Sequence, residues 1–137
     1  MMRRLVGRAL LAVTGLLNVV PAVGAVAPQG MYAAYGIAPA GRDLEVVLRH
    51  RAMLFAVLGA GLLVAVFRPA WRPFAVGANA ISIGGFVVLV LVGGPVGPGL
   101  VRVAAIDVAA LVALGASAVL LRAERAVEPG PLVSERR

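Results

Sequence analysis

The chain has 137 residues, of which 61% are hydrophobic and 14% charged, with a formal net charge of +7 and no cysteine. A soluble domain runs near 45–50% apolar and roughly 25% charged, so water is not the main solvent here. The missing thiols exclude disulfides, thiolate metal sites and thiol redox chemistry. All basic residues are arginine and they gather at the ends of apolar stretches, with no basic stripe or aromatic interleaving, so the charge does not point to nucleic acid.

Four apolar stretches, residues 5–27, 52–67, 74–92 and 103–121, are each near the roughly 20 residues that cross about 30 Å of hydrocarbon. The expected fold is all-α, an integral membrane antiparallel four-helix bundle in a single domain, residues 1–121. Its helices are expected at about 5–27, 44–67, 74–92 and 101–121. Residues 122–137, with Pro129, Gly130 and Pro131 among mixed charges, read as a disordered cytoplasmic tail. The remaining polar segments are too short for a soluble catalytic domain.

The first element has a basic start, a long apolar run and a finish of small residues. Two readings fit it: a retained membrane helix, or a signal peptide cleaved near Ala25 or Ala27. The apolar run exceeds a 7 to 15 residue signal core, and Asn18 suits an interhelical contact, which favours retention. Leu11, Gly15, Asn18, Ala22 and Ala25 share one face. Residues 28–39, containing Met31, Tyr32 and Tyr35, read as a short outer loop or surface helix. Asp43 is expected to cap the next helix.

That second helix carries a charged collar of Asp43, Glu45, Arg49, His50 and Arg51 in front of its apolar run. Glu45, Arg49, Ala52, Ala56, Gly59 and Ala60 form the face expected to turn inward. Arg51, Phe55, Leu58 and Leu62 form a bulkier stripe suited to lipid. The connector 68–73 joins two cations, an interfacial Trp71 and two prolines. In the third helix Gly77, Ala80, Gly84 and Val88 make a stripe suited to close approach, with Asn79 and Ser82 beside it. Arg102 stands at the expected start of the fourth helix and Asp107 lies inside it.

Arginine excess marks cytoplasmic flanks. Arg3, Arg4, Arg8, Arg68, Arg72, Arg122, Arg125, Arg136 and Arg137 fall on one side, against Arg42, Arg49, Arg51 and Arg102 on the other. This asymmetry places both termini in the cytoplasm. Arg49 and Asp107 then lie at similar depth, roughly 8–9 Å below the outer helix starts at ~1.5 Å per residue, and are expected to pair. Asn18, Glu45, Arg49, His50 and Asp107 together form the candidate polar cluster. Such a cluster serves either as an ion pair locking two helices or as an outward pocket for a small anionic or amphipathic ligand.

A Tyr35-Gly36 loop, Asp43-Leu44-Glu45, the run 49–59, a Phe67-Arg68-Pro69 turn and a last helix bearing Arg102 and Asp107 together resemble a group of small bacterial inner-membrane proteins with a DoxX-like four-helix plan. The resemblance spans residues 5–121. It implies a multi-pass inner-membrane location and no established activity, with Glu45, Arg49, His50 and Arg51 matching the charged motif and Asp107 the acidic residue of the last helix. Members are sometimes labelled phosphopantetheine adenylyltransferase, a soluble nucleotidyltransferase that needs a paired-histidine nucleotide motif. This chain has one histidine, so that activity is rejected. No nucleophile with a base, no metal set and no phosphate-binding loop is present, and neither catalysis nor a cofactor is expected. The expected partners are the lipid bilayer, a membrane protein or a second copy of the chain, and a small-molecule ligand. The leading expectation is a structural or accessory membrane protein, and the alternative is a binding protein or carrier.

Overall fold

A computed structural model of the chain describes residues 1–122, so all of the expected tail beyond Arg122 lies outside the described residues. Among the described residues the secondary structure is wholly helical: α1 (Met2–Val19), a 3₁₀ segment (Val20–Ala25), α2 (Gln29–Tyr35), α3 (Arg42–Phe67), a 3₁₀ turn (Pro69–Trp71), α4 (Arg72–Val92) and α5 (Pro98–Arg122). Four segments, Met2–Ala25, Arg42–Phe67, Pro69–Val92 and Pro98–Arg122, are long and apolar enough to cross a membrane.

The first apolar run does not continue as one α-helix to residue 27. Pro21 has no backbone N–H and its ring crowds the carbonyl four residues earlier, and the chain tightens into the 3₁₀ segment there. At Gly24 a Cβ would collide with the Met31 side chain, so glycine lets α2 fold back onto the segment. Gly36 closes α2 in the left-handed conformation, with φ 64°. Gly99 of α5 lies directly against the Tyr35 carbonyl and the Gly36 nitrogen, an approach that no side chain would permit.

One expected cap and one expected helix start are corrected. Gly41, not Asp43, is the N-cap of α3 and makes no side-chain cap bond. Asp43 and Glu45 sit inside the first turn, where a carboxylate still complements the helix dipole. Likewise α5 begins at Pro98, a residue suited to a first helical position, which leaves Arg102 exposed and one turn inside.

Packing is centred on α1, which meets both α3 and α5. One apolar cluster joins Leu11, Leu62, Ala65, Ala75, Leu114 and Leu121 at the end that holds the start of α1 and the α3–α4 connector. The other joins Met31, Tyr35, Leu48 and Ala52 at the α2 end. Where α1 crosses α3, Gly15 and Gly59 face each other, and a Cβ on Gly59 would stand 2.7 Å from the Gly15 carbonyl oxygen. Arg72 is buried and closes the end of α3, its Nε donating to the Ala65 carbonyl (3.1 Å) and its Nη2 to that of Val66 (3.5 Å). Those are carbonyls of the last helical turn, which need donors from outside the helix or from the next segment.

The stripe assignments of two helices change. In α3, Leu62 is fully buried while Ala60 is exposed, so the core face runs through Leu48, Ala52, Gly59, Leu62 and Ala65. The cause is that α3 packs against α1, the 3₁₀ segment and α4, so its covered arc lies between the two stripes and takes from both. In α4 the covered face is Ala75, Asn79 and Ile83, and a Cβ on Gly77 or Gly84 would meet nothing within 4 Å. The glycine stripe of α4 is therefore not a close-approach surface. Large apolar side chains also cover the outside, including Val13, Leu16, Val57, Ile81, Leu89, Val112 and Val119. An apolar exterior of that extent suits hydrocarbon rather than water.

Candidate ligand cavity

Between the two apolar clusters lies a polar link from α1 through α4 to α3. Asn18 Nδ2 donates to Asn79 Oδ1 in a short hydrogen bond. Asn79 Nδ2 donates in turn to the carbonyls of Leu58 (3.1 Å) and Ala75 (2.8 Å). Asn79 has no exposed surface. A buried amide with these bonds holds three helices in one register, because any slip leaves a polar group without a partner in an apolar surrounding.

On the α2 side of Asn18 opens a cavity of about 420 Å³, walled by α1, the 3₁₀ segment, α2, Phe55 of α3 and the first half of α5. Its wall is mainly apolar, with Met31, Tyr35, Phe55 and Ile106 among the lining residues, and the polar side chains reaching it are Asn18, Tyr35 and Asp107. The size falls within the roughly 300–1,000 Å³ of small-molecule sites, and a mostly apolar wall with a few converging polar groups is their usual chemistry.

The candidate residues from the sequence divide into two groups. Asn18 and Asp107 both line the cavity. Glu45 and Arg49 instead pair with each other along α3, Nη1 to Oε1 at 3.3 Å, with their side chains 32% and 40% exposed. Arg49 also reaches the Val26 carbonyl through Nη2 at 3.5 Å, tethering the segment before α2. His50 is exposed. None of these three lines the cavity.

The cation nearest to Asp107 in effect is Arg51, whose charge acts on the carboxylate without forming an ion pair within 4.0 Å. Arg51 does not turn out to lipid headgroups. Its guanidinium rests on the rings of Phe86 (4.6 Å), Phe55 (4.9 Å) and Tyr35 (5.7 Å), distances at which the ring quadrupole attracts a cation. The Arg51 Nε is buried without a hydrogen-bond partner. The reversal of Arg49 and Arg51 has a plain cause: a carboxylate one turn earlier was available to Arg49, and aromatic faces from α2, α3 and α4 were available to Arg51. Phe86 stands in the apolar run of α4 and gave no sequence signal of this role.

Because Arg49 pairs with Glu45 and not with Asp107, the stability losses of Arg49→Gln and Asp107→Asn are expected to add within about 0.5 kcal/mol. Thermal or denaturant unfolding of the two single variants and the double variant in detergent checks this. A coupling well above that value would restore the direct pair.

Among the described residues no group of three or more His, Cys, Asp or Glu side chains is placed to hold a metal ion. No family model, curated protein or solved structure matches the chain.

Proposed function

We propose that the chain is a multi-pass protein of the bacterial inner membrane, an antiparallel four-helix bundle with both termini cytoplasmic, whose outer cavity binds or carries a small amphipathic ligand. The observation that carries this reading is the cavity of about 420 Å³, apolar in most of its wall and furnished with Asn18 and Asp107. Four helices of spanning length, an apolar exterior and the arginine asymmetry support the membrane placement. The resemblance to DoxX-like proteins supports the same plan and location. The reading is non-catalytic, and a membrane-protein partner or a second copy of the chain is compatible with it.

A purely structural role has one observation in its favour, the Asn18 to Asn79 link. That link accounts for Asn18 and Asn79 but not for Asp107, which makes no ion pair or hydrogen bond among the described residues. A carboxylate placed in a membrane helix costs roughly 2.5–3.5 kcal/mol on insertion scales, and such a group marks function more often than structure.

Ala34 lines the cavity and is exposed, so Ala34→Phe fills space without displacing the core. Native mass spectrometry of the protein released from lipid nanodiscs is expected to show a retained small molecule in the parent chain. Ala34→Phe should lose most of it. Identical adducts on both proteins, or none on either, would count against the cavity as a binding site.

A further inference from the structure

The hydrogen bonds around Asn79 decide which atoms the cavity offers to a ligand. Carbonyl oxygens only accept, so the bonds from Asn79 Nδ2 to Leu58 and Ala75 orient its amide with Oδ1 toward Asn18. Asn18 must then donate through Nδ2. Its Oδ1 has no hydrogen-bond partner among the described residues and is left as an acceptor at the cavity wall. Asp107 in its ionised form is likewise acceptor-only. The donors among the polar lining side chains are the Tyr35 hydroxyl, which accepts as well, and the one N–H that Asn18 Nδ2 keeps beyond its bond to Asn79. Arg51 is not on the wall, being held against the rings of Tyr35, Phe55 and Phe86.

An anionic headgroup would stand beside the ionised Asp107 carboxylate, like charge against like in a mostly apolar cavity, and would leave that carboxylate and the Asn18 oxygen without donors. A donor headgroup meets the opposite situation, since it gives Asp107 and the Asn18 oxygen partners that no described residue supplies. Building on the cavity reading, we propose that the ligand is an amphiphile with a hydrogen-bond-donor head, an ammonium or a hydroxyl, bound by Asp107 and Asn18 with its apolar part against Met31, Phe55 and Ile106.

The test compares octylamine, octan-1-ol and sodium octanoate at neutral pH as stabilisers of the full chain in detergent, read as shifts in the thermal unfolding midpoint. Octylamine and octan-1-ol are expected to raise the midpoint and octanoate is not. Asp107→Asn should weaken the octylamine effect about tenfold in apparent affinity, because it removes the charged acceptor, and Asp107→Glu should keep most of it. Ala34→Phe should abolish both protections. If octanoate protects as well as octylamine and Ala34→Phe removes both effects, or if octylamine protection survives intact in Asp107→Asn, the headgroup assignment is overturned while the cavity stands. If no amphiphile gives protection that responds to Ala34→Phe, the cavity reading falls together with it.

Discussion

Gly59→Ala is expected to destabilise the protein by at least the roughly 1–3 kcal/mol typical of overpacking, although the same change in most helices is favourable. The added Cβ would stand 2.7 Å from the Gly15 carbonyl oxygen and from Val19 Cγ2, and 3.0 Å from the Val19 nitrogen. Two of these three neighbours are backbone atoms of α1, which cannot yield by changing a rotamer. The helices must separate along the whole α1–α3 crossing, and apolar contacts on either side of it are lost together. Gly84→Ala makes the same chemical change where nothing lies within 4 Å. There the gain in helix propensity, about 0.5–1 kcal/mol, is unopposed. Thermal unfolding of the two variants in detergent should thus give shifts of opposite sign. Equal shifts would mean that α1 and α3 do not cross at Gly15 and Gly59.

The second large effect is expected from Asn79→Leu, which keeps the side-chain volume and removes the amide. Hydrogen bonds between membrane helices average about 0.6 kcal/mol and reach ~1.7. Here the substitution also strands the Asn18 Nδ2 donor, and a buried group without a partner costs a further ~1–3 kcal/mol. A total loss on the order of 2 kcal/mol follows from these terms. The diagnostic result lies in the double variant with Asn18→Leu, where nothing polar is left unpaired. Its stability loss should be smaller than the sum of the two single losses, by about 1 kcal/mol or more. Strict additivity in equilibrium unfolding would dissolve the Asn18 to Asn79 link.

The protein thus carries two polar systems near each other with different tasks. Asn79 and Asn18 join helices, and their bonds use both side-chain donors of Asn79 and one of the two of Asn18. Asp107 and the remaining Asn18 oxygen face open space. The first system makes the register of α1 against α4 definite and so places the acceptors of the second.

Much of the helix plan was legible because it is local. A spanning helix needs about 20 apolar residues in succession, and that requirement is met or missed within the segment itself. Asn18 was legible as an interhelical contact for a similar reason, since an amide in an apolar run must find a partner. Small deviations such as the 3₁₀ segment trace to Pro21, whose consequence is also local.

The site was less legible. Arg49 and Arg51 lie two residues apart, about 200° around α3, and helical phase alone set one inward and one outward. It could not say which neighbouring helices would cover which arc, nor that Phe86 of α4 would arrive beside Arg51. The glycines show the same division. Gly15, Gly59, Gly77 and Gly84 all satisfy a small-residue pattern, yet only the first two meet a neighbouring backbone. By itself the sequence determined where the four long apolar helices lie and which segments carry charge, because apolar run length and charge position are properties of the chain. Only the tertiary structure decided that Asp107 and Arg49 do not pair, that Arg51 lies on aromatic faces and that a cavity opens beside Asn18, because each depends on the rotation of one helix against another.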